Sequence, residues 1–204
     1  MTDSLVSPVS PVSPVSLVSL VKRPKDIHLL TTRFNCSTWR ENEMYRERKG
    51  IVDGCVYGAP LRISHNISLM STAYVIEMNN DTNRIEGIGR IKVFPNFDNP
   101  KSIYGHHNYN RYVYSGKCRL DRDILVRCNT DLVDTLERLL FTGKNHLKRG
   151  SGITRVSQKK QTQTTEGNTP ISVASVIRDI FISYFPIEPT GPTESTKPTE
   201  PTEP

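Results

Sequence analysis

Between residues 74 and 93 the chain reads YVIEMNNDTNRIEGIGRIKV, two apolar runs, 74–78 and 85–93, separated by Asn79, Asn80, Asp81, Thr82, Asn83 and Arg84. That polar cluster tolerates turn and left-handed conformations, so the pattern predicts a β-hairpin. In the second run Ile85, Gly87, Gly89, Ile91 and Val93 alternate with Glu86, Ile88, Arg90 and Lys92, as a half-buried strand requires. Two glycines weaken such a strand. Their presence predicts either a bend in a small barrel or the close approach of another backbone or a ligand.

Helical signals appear at three places. Thr38 and Glu41 fit a capping box and predict a helix over 39–48, ended by Gly50 and anchored by Trp39, Met44 and Tyr45, with the rest facing water. Leu132, Val133, Leu136, Leu139 and Leu140 form an amphipathic stripe after Asn129 or Thr130, either of which can cap it, and Gly143 closes it. Ile171, Ala174, Ile177, Phe181 and Tyr184 mark a last helix with Pro170 at its first position, although the β-branched content leaves a strand open. Residues 51–63 read as two short strands around Gly58, Ala59 and Pro60, residues 65–72 as a loop or one helical turn, and residues 111–114 as a tyrosine-rich strand. Residues 95–100 and 158–168 are polar loops. The elements together predict an α+β fold, a small mixed β-barrel with flanking helices.

Both ends depart from this pattern. From Val6 the chain repeats VSP and then VSL, and from Pro189 it repeats PTG, PTE and STK to the last residue. Proline at that frequency removes backbone donors and favours solvated polyproline II, so residues 1–24 and 186–204 are expected to be disordered around a domain at 25–185. The first repeat lacks a basic start and is broken by Pro8, Pro11 and Pro14, which argues against a secretion signal or a membrane span and for an intracellular protein. Cys36, Cys55, Cys118 and Cys128 form no CxxC pair, so reduced thiols are expected.

Charge sharpens the picture once it is partitioned. The last 19 residues carry four glutamates against one lysine and the first 21 a single aspartate, so the net +6 of the chain becomes +10 over residues 22–185. A domain that basic attracts polyanions, nucleic acid above all. Tyr104, Tyr109, Tyr112 and Tyr114 are interleaved with His106, His107, Arg111, Lys117 and Arg119. Rings that stack on bases beside cations that meet phosphates are what a single-stranded nucleic-acid surface needs, while the same tyrosines equally suit sheet packing. Trp39 reads as a stacking platform or a core plug. Lys144, Lys148 and Arg149 with Gly150 and Gly152 form a candidate phosphate cradle that does not match the P-loop pattern. The adjacent His106 and His107 lack a carboxylate at diagnostic spacing, so neither a metal nor any cofactor is expected.

Tyr57-Gly58-Ala59-Pro60, then residues 75–79, then Ile85-Glu86-Gly87-Ile88-Gly89-Arg90-Ile91 resemble the strand order of the PUA-like superfamily with its ASCH, EVE and YTH branches. The resemblance covers about residues 50–93, and the YTH aromatic cage does not map because Trp39 is the sole tryptophan. It implies a pocket reading RNA or a modified base, in which Tyr57, Gly58, Gly87 and Gly89 are the pocket residues. The triplet-repeat ends are also similar in composition to proteins of large DNA viruses. The expected function is therefore a non-enzymatic module binding RNA or single-stranded DNA, with Tyr109, Tyr112 and Tyr114 stacking and Arg111, Lys117, Lys144, Lys148 and Arg149 meeting phosphates. One alternative, implied by ASCH-like hydrolases, makes Glu77 the acid to test, with Lys92 or Lys117 near it, although a glutamate on a half-buried strand is more often paired with an arginine. Another is an interaction protein recruiting partners through its Pro-rich ends.

Overall fold

The computed structural model describes residues 27–96, 102–164 and 170–185; the terminal repeats lie outside these residues, as do parts of the two polar loops. The strand β1 (His28–Phe34) leads into α1 (Cys36–Arg48) and β2 (Cys55–Ala59). The hairpin follows as β3 (Thr72–Asn79) and β4 (Arg84–Lys92), then β5 (Tyr112–Gly116) and β6 (Cys118–Asp121). Next come α2 (Arg122–Cys128), α3 (Thr130–Phe141), β7 (Thr154–Arg155), the short α4 (Gln158–Gln161), β8 (Thr162–Thr164), β9 (Pro170–Ser172) and α5 (Val173–Tyr184).

The α+β class is as the sequence predicts, but the barrel is not. Five strands form an open sheet in the order β6-β4-β3-β1-β7, β2 and β5 form a separate two-stranded ribbon, and β8 pairs with β9. β1 runs parallel to β3, and the other pairings of the large sheet are antiparallel. The sheet stays open because each face is closed by a different layer. Leu29, Tyr74, Ile76, Met78, Ile85, Ile88 and Leu120 pack with Leu125, Leu136, Leu140, Ile177 and Phe181 from α2, α3 and α5. Leu30, Phe34, Val75 and Ile91 face the other way and pack with Tyr45 of α1 and Val56, Tyr57, Val113 and Tyr114 of the ribbon. Burying apolar surface on both faces is the main force holding these layers together.

The alternation along β4 is reset by a β-bulge. Glu77 pairs with Gly87 and Met78 with Ile85, which leaves Glu86 unmatched. An extra residue shifts the face of everything beyond it, so Ile85 joins Ile88 beneath the helices and not Gly87 beneath the ribbon.

Other boundaries also differ from the sequence reading. α1 starts one turn early: Asn35 Oδ1 accepts from the Thr38 amide at 2.8 Å, and the Thr38 hydroxyl accepts from the Asn35 amide at 3.0 Å. Asp81 of the hairpin turn accepts the Cys36 amide at 2.8 Å, a tertiary cap that favours the earlier start. Met44 is exposed, and Asn42 anchors the helix in its place by donating to the Val56 carbonyl at 2.8 Å and the Tyr104 hydroxyl at 3.1 Å. Gly58 lies inside one strand and not in a turn between two. Pro170 belongs to β9, and the last helix begins at Val173. β1, β6 and α2 have no counterpart in the sequence reading.

Candidate functional site

β1 and β3 run parallel, so their carboxyl ends meet at one side of the molecule, where the chain must leave the sheet and a crevice forms. The crevice is a cleft of about 320 Å³ lined by the end of β1 (Thr32, Arg33, Phe34), Asn35 and Thr38 at the start of α1, and Asn80 and Asp81 of the hairpin turn. Gly58, Tyr104, Tyr109, Gly150 and Gly152 complete it. Gly58 is there for space: a Cβ on it would lie 2.2 Å from the Tyr109 carbonyl oxygen and 2.9 Å from the Tyr104 ring.

One side of the cleft is aromatic. Tyr104 sits edge-on to Tyr109 at 6.3 Å between centroids and lies 6.5 Å from Phe34, which in turn meets Trp39 at 5.2 Å. Tyr104 is held in place through its hydroxyl, and burial pushes that group well above the ordinary tyrosine value. Tyr109 is 38 % exposed and lines the opening. The hydrogen-bonding groups are Thr32, Asn35, Thr38, Asn80 and Asp81. The Asp81 carboxyl is held below its usual range by its bonds to the Cys36 amide and thiol. Thr32 is buried and has no side-chain hydrogen-bond partner among the described residues.

Arg33 supplies the positive charge. Its guanidinium donates to the Leu147 carbonyl at 2.6 Å, the Gly152 carbonyl at 3.4 Å and the Thr154 hydroxyl at 2.9 Å. Burial lowers its pKa, and no carboxylate pairs with it among the described residues. These bonds pin the 147–154 loop against β1, where Gly150 at φ +112° and Gly152 at φ +71° adopt a path that side-chain-bearing residues rarely take.

The structure divides the residues expected to form one surface. Tyr109, Gly58 and the glycines of the basic loop reach the cleft. Lys148 lies next to it, its carbonyl accepting from Asn80 at 3.0 Å and its ammonium donating to Asn83 at 2.7 Å, while Arg149 and Lys144 are exposed. Tyr112 lies elsewhere, with the guanidinium groups of Arg62 and Arg111 at 5.2 and 5.6 Å from its ring. Tyr114 is buried, accepts the Ile63 amide at 3.0 Å and offers no face for stacking. Lys117 opens onto a different cavity, beside Arg90. Sequence reasoning did not single out Thr32, Arg33, Phe34, Asn80 or Asp81. The signal available was a strand end followed directly by a helix cap at Asn35.

Tyr57, Gly87 and Gly89 also come together, but around side chains and not around a pocket. Tyr57 donates its hydroxyl to Glu77 Oε1 at 2.7 Å, and Arg119 grips the same carboxylate through Nε at 2.9 Å and Nη2 at 2.7 Å. A Cβ on Gly87 would lie 2.7 Å from Arg119 Nη2, and one on Gly89 would lie 2.1 Å from the Tyr57 hydroxyl. The glycines are small to admit this ion pair. The Glu77 and Arg119 side chains are 1 % and 2 % exposed, so Glu77 is shut off from any substrate, and neither Lys92 nor Lys117 is among its partners. Trp39 lies over the cluster, with the guanidiniums of Arg119 and Arg46 at 5.6 and 5.5 Å from its ring.

All four cysteines are unbridged. Burial pushes the Cys55 thiol up to about 12, so it stays protonated at neutral pH, whereas Cys36 and Cys128 are exposed. With DTNB, Cys36 and Cys128 are expected to react in the folded protein and Cys55 only after denaturation. Modification of native Cys55 at a rate matching the exposed pair would contradict this packing.

Among the described residues no cluster of three His, Cys, Asp or Glu side chains is placed to hold a metal, and no helix is long and apolar enough to cross a membrane. Compared with protein-family models, curated proteins and solved structures, the chain gives no significant match to any of the three, so its function has to be argued from the cleft itself.

Proposed function

We propose that the protein binds single-stranded nucleic acid, RNA or DNA, and takes one base into the cleft at the ends of β1 and β3. The observation that carries this reading is the meeting of Tyr109 with the glycine-bearing basic loop at a single opening. A base presents a flat face for Tyr109 and an edge of donors and acceptors for Thr32, Thr38 and Asp81, and the volume suits one ring system. Arg33, Lys148 and Arg149 stand beside this opening as partners for the flanking phosphates. The footprint is narrower than the composition of residues 104–120 implies, because Tyr112, Tyr114 and Lys117 take no part in it. The likeness to the PUA-like superfamily belongs to this proposal, with an open sheet in place of a barrel. The hydrolase alternative loses its acid, since Glu77 is buried in an ion pair. The Pro-rich ends lie outside the described residues.

Fluorescence anisotropy with labelled oligo-dT and oligo-U tests the proposal. Affinity is expected to fall steeply with salt, and the Lys148→Ala, Arg149→Ala double variant to lower the slope of log K against log salt by about 1.4, or roughly 0.7 for each phosphate that the protein no longer neutralises. Tyr109→Ala is expected to cost about 1–3 kcal/mol of binding. Absence of binding at low salt, or a Tyr109→Ala variant that binds like the parent, would sink it.

A further inference from the structure

A second cavity, of about 610 Å³, opens at the other end of the same strands. It starts at Thr72 and Tyr74 where β3 begins, roughly 20 Å along the strand from Asn80 at about 3.3 Å per residue. Four cations line it: Arg90 and Lys92 of β4, Lys117 between β5 and β6, and Arg178 of α5. Among the described residues no carboxylate lines it, and Asp179 beside it is exposed and held by Arg178 at 2.7 Å. Arg90 has no carboxylate partner at all among the described residues. It is aimed by the Cys118 sulfur at 2.8 Å, the Tyr74 hydroxyl and the Phe181 ring at 6.0 Å. With Arg178 paired to Asp179 and Lys92 and Lys117 open to water, Arg90 and the lysines leave a net positive wall that attracts an anion. Ile27, Ile91 and Ile182 supply apolar parts of the lining, beside Thr72, Ser115 and Gly116.

We infer that this cavity is a binding site for a small organic phosphate, whose phosphate meets Arg90, Lys117 and Arg178 and whose ring or aliphatic body lies against Tyr74, Ile27 and Ile182. A guanidinium with free donors matches a phosphate better than a single carboxylate, and the size admits a nucleotide-sized molecule. The inference is independent of the base-binding cleft, with which this cavity shares no lining residue.

Titration calorimetry on the full chain, with adenosine monophosphate, adenosine and inorganic phosphate as probes, decides it. In the Tyr109→Ala variant, which disables the base cleft, the monophosphate is expected to bind, adenosine not to bind, and inorganic phosphate to bind more weakly than the monophosphate. Arg90→Ala is expected to weaken the monophosphate about tenfold or more, as removal of one charge-assisted hydrogen-bond donor does, and Lys117→Glu, at an exposed position that leaves the fold intact, to weaken it as well. Tyr109→Ala should leave this affinity unchanged. The inference is overturned if both charge variants bind the monophosphate within twofold of the parent, if adenosine binds the Tyr109→Ala variant as well as the monophosphate does, or if Tyr109→Ala is the variant that loses binding.

Discussion

Arg119→Ala is expected to lose about 3–5 kcal/mol of stability in urea unfolding, the effect of removing one member of a buried ion pair. The reason lies in what it leaves behind. Glu77 is 1 % exposed and would keep only the Tyr57 hydroxyl, so a carboxylate would remain in the interior without a counter-charge. Asp121 loses its partner too, but it is exposed and water takes the place of the guanidinium. Replacing both charges, with Glu77→Leu and Arg119→Leu, should cost less than Arg119→Ala alone, because the double change removes the pair together with its desolvation penalty. A loss below about 1 kcal/mol for the single variant would show that the pair is not buried as described.

Gly89→Val is the second large effect, expected to cost about 3 kcal/mol or more through overpacking and a broken buried hydrogen bond. A Cβ at this position would lie 2.1 Å from the Tyr57 hydroxyl and 2.6 Å from the Cys55 sulfur, both on the ribbon that covers this face of the sheet. Tyr57 cannot swing aside, being fully buried with its hydroxyl on Glu77. The ribbon must therefore lift, and thermal unfolding should show a lower midpoint. Gly89→Ala combined with Tyr57→Phe should cost less than the sum of the two single changes, since removing the hydroxyl opens the space the new methyl needs. Strict additivity in that cycle would place the conflict elsewhere.

How far the sequence shows this fold depends on where each element's information resides. α3 and α5 were legible because local periodicity matches their buried faces, and the β3–β4 hairpin because two apolar runs flank a turn-forming cluster, although the bulge that moves Ile85 to the other face was not. β1 was not: His28, Thr31 and Thr32 are buried beside Leu29 and Leu30, and a strand covered on both faces need not alternate. β6 is only four residues long, too short for a pattern to emerge. That Glu77 pairs with an arginine was legible, but which arginine was not, since Glu77 and Arg119 stand 42 residues apart and meet only through the β3-β4-β6 order. The tyrosines mark the limit of composition. Tyr109 reaches the cleft, whereas Tyr57 and Tyr114 have the same chemistry but face inward to a carboxylate and a backbone amide. Position separates them, which composition does not encode: Tyr109 lies in a short 3-10 turn, His107–Asn110, and the other two lie on the buried ribbon strands.

The placement of β1 between β3 and β7 also bears on how the chain is made. Thr31 is paired with Thr154, 123 positions later, so one edge of this strand stays bare until at least that many further residues have left the ribosome. Pairings that far apart in sequence form slowly, and a nascent chain halted before that point would display an unpaired edge of the kind that captures foreign strands. Synthesis of this protein therefore favours shielding by chaperones until Thr154 and Arg155 emerge.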